Sequence, residues 1–303
     1  MRHTVWFFFI AMIVGGLGAA RLWDGAQTAM GLESLPSGIS SLAMLLGIQI
    51  GMAGFAWLTL KRAGVQVNQM VGTFPPKYNW IGGLGWAIAL MIFTFSFMAM
   101  VAYTAVALFP DAIADRMIPL FTAIAQEKNP FWVDVCMALL GSIVAPLSEE
   151  FTFRGLFLHC WSAHRSMSVG LILTGLLFAL LHPQNFVGMF VFSLVLSLLY
   201  LRTRSLWVPI GVHALYNGII FSGNLISLAT NGSGSTGSES PEAFAEATVN
   251  EAIASISQAR FGITAGVFLL LAGFFVARFL YKNWPGATTQ LPYTYNLLMS
   301  QES

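Results

Sequence analysis

Charge is what this chain has least of. Asp, Glu, Lys and Arg make up 9% of its 303 residues, against roughly a quarter in ordinary soluble domains. The formal net charge is +1, so no strong field points to a polyanion, and no nucleic-acid partner is expected. Cysteine is nearly absent. Cys136 and Cys160 lack the spacing of a zinc cluster or a redox pair and read as small core residues. There is no HExxH helix of the metalloprotease kind. No internal repeat of the kind many transporters carry is visible either.

Apolar sequence fills the chain instead. Hydrophobic residues make up 56%, more than a soluble core absorbs, in runs of the roughly 20 residues that span a hydrocarbon layer of about 30 Å. Candidate spans lie near 4–20, 38–60, 80–109, 131–163, 167–183, 186–201, 205–228 and 261–281. The expected fold class is all-α, a polytopic transmembrane helical bundle of about eight spans, with the lipid bilayer as its solvent. The third and fourth spans exceed what a bilayer requires, which implies tilt, a kink or projection; Pro146 is the candidate kink in the fourth. The first span follows Arg2 and carries Gly15, Gly16, Gly18, Ala19 and Ala20, which imitate a cleavable leader but also suit close helix packing in lipid. It is expected to be retained.

The chain divides into four parts. Residues 1–130 hold N-terminal transmembrane helices and, at 110–130, an amphipathic segment of interfacial character. Residues 131–228 form a helical core, 229–259 an exposed excursion, and 260–303 a last transmembrane helix with its tail. The excursion is a Gly/Ser-rich linker, Asn231 to Ser240, followed by an acidic amphipathic stretch, Pro241 to Gln258. With both termini cytoplasmic, ten basic residues fall inside and four, Arg21, Arg116, Lys128 and Arg260, fall outside. That bias favours a multi-pass protein of the plasma (inner) membrane in this orientation, and it survives discounting Arg154, which lies within a span.

Ionisable groups in a membrane helix cost several kcal/mol unless paired or solvated, so each is a functional candidate. Here they cluster within 131–228. The fourth span carries Glu149, Glu150 and Arg154; the fifth ends in Phe178-Ala-Leu-Leu-His182; the seventh contains His213-Ala-Leu-Tyr-Asn217. Glu150 and Arg154, at i and i+4, meet and neutralise each other, which leaves Glu149 free to face another neighbour. His213 and Asn217 project from one helix face by the same spacing. If the fourth and fifth helices turn around Arg165, Glu149 and His182 each lie about 25 Å along their helices, level with one another.

Such a set suits hydrolysis. A carboxylate in a membrane cavity can act as general base toward water, and an amide and an imidazole can donate to the oxyanion formed at a peptide carbonyl. No Ser or Cys stands in a nucleophile arrangement. Glu149, His182 and His213 could alternatively hold a zinc ion that activates the same water. Bland readings compete: Glu149 as a packing carboxylate, His182 before Pro183 as a helix cap, His213 and Asn217 as interhelical glue. His159 and His164 sit near the turn and read as interfacial. A proton-relay transporter, or a non-proteolytic scaffold or immunity protein, would also use buried Glu and His.

Three motifs, Glu149-Glu-x-x-x-Arg154, Phe178-x-x-x-His182 and His213-x-x-x-Asn217, together resemble those of the CPBP family in order and spacing. That family comprises the type II CAAX prenyl endopeptidases and bacteriocin-processing or immunity proteins, and the likeness covers about residues 131–228. It implies an intramembrane endopeptidase acting on a peptide or lipidated protein at the membrane. Glu149 would be the water-activating base, Glu150 and Arg154 its supporting pair, and His182, His213 and Asn217 the remaining site residues. Both zinc-dependent and metal-independent mechanisms are proposed for the family. The missing HExxH helix favours no obligatory metal, leaving zinc as the only cofactor in question.

Overall fold

The computed structural model describes residues 2–30, 38–126, 129–231, 240–286 and 288–301. The Gly/Ser-rich linker at 232–239 and Lys128 lie outside the described residues. Among the described residues there is helix and no strand. Among the described residues seven helices are long and apolar enough to cross a membrane: Thr4–Ala29, Gly38–Arg62, Trp80–Leu108, Phe131–His164, Pro183–Thr203, Trp207–Thr230 and Ala259–Asn283.

In chain order the elements are α1 (Arg2–Ala29), α2 (Gly38–Arg62), α3 (Val67–Val71), α4 (Trp80–Leu108) and α5 (Pro110–Gln126). The continuous helix Phe131–His164 is α6. It is followed by α7 (Met167–Leu180), a 3₁₀ turn (Pro183–Asn185), α8 (Phe186–Thr203), α9 (Trp207–Asn231), α10 (Pro241–Ile256), α11 (Ala259–Asn283) and α12 (Pro292–Gln301).

One expected span needs correction. The span expected at 167–183 is a helix of only 14 residues, about 21 Å long and too short to cross straight. Pro183 explains this, because it disfavours helical backbone at His182 and opens a separate 3₁₀ turn. The acidic stretch after the linker is an exposed helix with one face packed on the bundle. It forms α10, which packs against α5, so two amphipathic helices cover one end of the bundle. The first span runs nine residues past its expected end, to Ala29.

The helices alternate between two ends of the bundle. At one end Asn129 accepts from the Gly38 N–H, and the Ser40 hydroxyl donates to Asp24. At the other, the Leu206 N–H donates to Val71, Trp284 to Ser168, and Asn296 to the carbonyls of Gln69 and Arg204. Arg204 takes left-handed backbone (φ 56°) to close α8 and lays its guanidinium 3.3 Å over Tyr295 of α12. The buried core lies between these ends and centres on α8, where Leu194 to Leu201 are all buried.

Small residues set the closest contact. Gly47 and Gly51 on α2 face Gly15 and Ala11 on α1 so tightly that a Cβ on Gly47 would collide with the Gly15 carbonyl. In lipid, such stripes allow backbones to approach and gain packing without a hydrophobic driving force.

Candidate active site

The glutamates of α6 sit on a short α-helical stretch, Ala145–Glu150, between two π-helical ones, Leu140–Val144 and Phe151–Phe157. The first π turn adjoins Pro146, whose missing N–H and bulky ring disfavour the regular ladder there. Such widening frees backbone carbonyls and re-aims side chains, which is why π turns recur at functional sites.

Glu150 and Arg154 are both fully buried, with Arg154 Nη1 2.9 Å from Glu150 Oε1. Arg154 Nη2 also donates to Ser193 of α8, at 3.0 Å to its carbonyl and 3.1 Å to its hydroxyl. The guanidinium lies 5.2 Å from the centroid of Phe178. An Arg fork held by three hydrogen bonds to Glu150 and Ser193 and stacked on a ring is a rigid anchor. From α9, His213 Nδ1 lies 2.8 Å from the same Glu150 Oε1. An ionised carboxylate only accepts, so Nδ1 carries the proton and Nε2 points away. Nε2 stands 3.9 Å from Glu149 Oε2. Arg154, Glu150 and His213 thus form one hydrogen-bonded chain that runs from the core to the cavity, where Glu149 stands just beyond hydrogen-bond reach of its end.

Glu149, His182, His213 and Asn217 line one cavity of about 220 Å³, walled also by Phe95, Met98, Gln184 and Tyr216. Glu149 is 13% exposed. Glu150 and Arg154 do not reach this cavity; they stand behind it. His182, at the tip between α7 and α8, has Nδ1 2.9 Å from the Phe178 carbonyl and its ring stacked 4.7 Å from Phe178. A carbonyl only accepts, so Nδ1 is the donor and Nε2 is free for the cavity. The Asn217 amide nitrogen donates at 2.8 Å to the Gly141 carbonyl in the first π turn, leaving its second N–H and its oxygen uncommitted. His159 is not merely interfacial: its Nδ1 bonds the Arg154 carbonyl at 2.8 Å and its ring packs against Tyr200 and Tyr293.

Glu149, His182 and His213 do not form a ready-made ligand set. No group of three His, Cys, Asp or Glu side chains among the described residues is placed to hold a metal ion. The 3.9 Å between Glu149 and His213 also exceeds the roughly 3.4 Å between two ligands of a tetrahedral zinc bound at about 2.0–2.1 Å.

Three supporting residues escape sequence reading. Ser193 anchors Arg154, Gln49 of α2 hydrogen-bonds the Ser148 hydroxyl next to Glu149, and Thr94 of α4 bonds the Tyr216 hydroxyl at 2.8 Å. Gln49 was detectable as an uncharged amide inside an apolar span. A hydroxyl in such a span commonly bonds its own helix backbone, so Ser193 and Thr94 gave no distinguishing signal.

Residues 130–219 match the family model for type II CAAX prenyl endopeptidase Rce1-like proteins, a stretch that holds all six candidate residues. A protein of Escherichia coli described as an uncharacterized 24.3 kDa protein is 30% identical over 153 residues, covering 46% of this chain and 64% of that relative. The chain thus spans less than two thirds of the relative's length. No solved structure matches.

Proposed function

We propose, from the match of residues 130–219 to the Rce1-like family model, that the protein is an intramembrane endopeptidase that uses a glutamate-activated water. The reading rests on a single observation: Glu149 stands on the wall of a cavity shared with His182, His213 and Asn217, with the buried Arg154–Glu150–His213 chain holding His213 from behind.

In this reading Glu149 takes a proton from a water molecule, and the water oxygen attacks the scissile carbonyl carbon. The free amide N–H of Asn217 donates to the oxyanion that forms. The Nε2 atoms of His182 and His213, with Nδ1 of each ring already engaged, hydrogen-bond and orient the nucleophile. When the tetrahedral intermediate collapses, the C–N bond breaks and Glu149 returns its proton to the leaving amine. Glu150 and Arg154 act as positioning residues, because they hold His213 without touching substrate. No metal takes part in this scheme. The substrate is a peptide or lipidated protein at the membrane, of the CAAX-processing or bacteriocin-processing type. The protein resides in the plasma membrane with both termini cytoplasmic, the orientation favoured by its basic residues.

The test is cleavage by the purified full chain in detergent. Farnesylated and unlipidated peptides ending in Cys-aliphatic-aliphatic-X, together with a mixed peptide library, would be followed by mass spectrometry. Cleavage by the native protein that disappears in Glu149→Ala supports the reading; equal cleavage by both eliminates it.

A further inference from the structure

Attack of a glutamate-activated water on a peptide carbonyl develops an oxyanion, and oxyanion holes are built from more than one preorganised donor. Asn217 supplies one. It has committed an amide N–H to the Gly141 carbonyl and keeps a single N–H for the cavity. His182 and His213 hold the ring proton on Nδ1, so a neutral ring offers Nε2 as an acceptor. The Thr94 hydroxyl donates to the Met91 carbonyl, so Tyr216 spends its own proton on Thr94. Gln184 is exposed and is not fixed as a preorganised donor must be. Besides these groups and Glu149, the cavity has one polar lining residue, Asn185, among apolar walls.

Asn185 ends the 3₁₀ turn and immediately precedes α8, and it is 8% exposed. An asparagine at that position ordinarily caps the helix, its side-chain oxygen accepting from an N–H of the first turn. Asn185 makes no such bond. Its Oδ1 is buried without a hydrogen-bond partner and packs against Gly188, where a Cβ would stand only 2.3 Å away. Glycine at 188 is what leaves room for the amide. Nδ2 has no partner either, but unlike Oδ1 it is not sealed from access. An unpaired amide inside a protein costs stability and calls for a reason. A donor kept ready for a group that enters the cavity is such a reason.

We propose that Asn185 is a further catalytic residue, whose Nδ2–H donates alongside Asn217 to the oxyanion formed at the scissile carbonyl. The inference rests on the peptidase reading of the site. The two donors come from different elements, Asn217 from α9 and Asn185 from the turn that also carries His182, while Glu149 works from α6. A carbonyl oxygen accepts more strongly as negative charge develops on it, so the bond gains most in the transition state. Its loss therefore falls on kcat and spares KM.

The test is steady-state kinetics of the purified full chain in detergent, on whichever of the farnesylated, unlipidated and library peptides the native protein cleaves fastest. Asn185→Ser keeps a neutral residue able to cap α8 but has no amide N–H. It should lower kcat by about 10² to 10³, the loss seen when one oxyanion donor is removed, with KM within about threefold of the native value and Tm unchanged. Gly188→Ala, whose Cβ must push the Asn185 amide aside, should lower kcat in the native background and add nothing to Asn185→Ser. Native kcat in Asn185→Ser, a loss carried by KM alone, or a loss matched by a fall in Tm overturns the inference. If Glu149→Ala abolishes cleavage while Asn185→Ser retains native kcat, this inference fails and the peptidase reading stands. If the native protein cleaves no peptide, or cleavage survives Glu149→Ala, the peptidase reading fails and takes this inference with it.

Discussion

His213 holds its Nδ1 2.8 Å from a carboxylate oxygen of Glu150, a residue that never reaches the cavity it serves. The two adjacent glutamates therefore have separable duties, one on the wall and one behind it, and mutation should separate them. Glu149→Gln is nearly isosteric and should leave thermal unfolding unchanged while lowering kcat on any cleaved peptide by about 10² to 10⁴, the span of general-base effects.

Glu150→Ala should behave oppositely. It strands the buried Arg154 and frees His213, and breaking a buried pair from one side costs about 3–5 kcal/mol. The expected result is a large drop in Tm together with lost activity, both recovered in part by Glu150→Gln. A Glu150→Ala protein as stable as the parent would show that the pair is not buried as described.

Ser193→Ala tests the far end of the Arg154–Glu150–His213 chain. Arg154 keeps its bond to the Ser193 carbonyl and loses only the hydroxyl, so stability should fall by about 1.5–3 kcal/mol, the worth of a hydrogen bond to a charged group. Cleavage should persist, because Ser193 acts on Glu149 only through three intervening side chains.

Sequence and structure agree on what depends on local spacing and differ where distant contacts decide. The Glu150–Arg154 pair follows from i and i+4 on one helix, and the level placement of Glu149 and His182 follows from equal distances to the Arg165 turn. The bond from His213 to Glu150 crosses 63 residues, and helical spacing says nothing about which glutamate an imidazole on another helix will meet. The shortness of α7 is legible in principle from Pro183, yet the apolar run through it has the length of a full span. The π turns carry no sequence signature beyond Pro146, and their effect, aiming the Gly141 carbonyl at Asn217, emerges only once α6 and α9 are packed.

Removal of metal gives a direct check on mechanism. Prolonged treatment with a strong zinc chelator should leave cleavage unchanged, because Glu149, His182 and His213 are not arranged as a ligand set. Loss of activity restored by added zinc would overturn the metal-free scheme and leave the assignment of Glu149 to the site intact.

The α1–α2 contact offers a test far from the chemistry. Gly47 approaches the Gly15 backbone so closely that any side chain must push α1 aside, and backbone cannot yield as a flexible side chain would. Gly54 lies two turns further along the same helix, and a Cβ there meets nothing within 4 Å. Gly47→Leu should therefore lose about 1–3 kcal/mol, the usual cost of overpacking, while Gly54→Leu stays near the parent in the same thermal unfolding assay. The damage should also spread toward the site, because α2 carries Gln49, two residues from Gly47, and Gln49 holds Ser148 beside Glu149. Gly47→Leu should lower kcat as well as Tm, and Gly54→Leu neither. Equal behaviour of the two variants would mean that α1 and α2 do not touch backbone to backbone in the membrane.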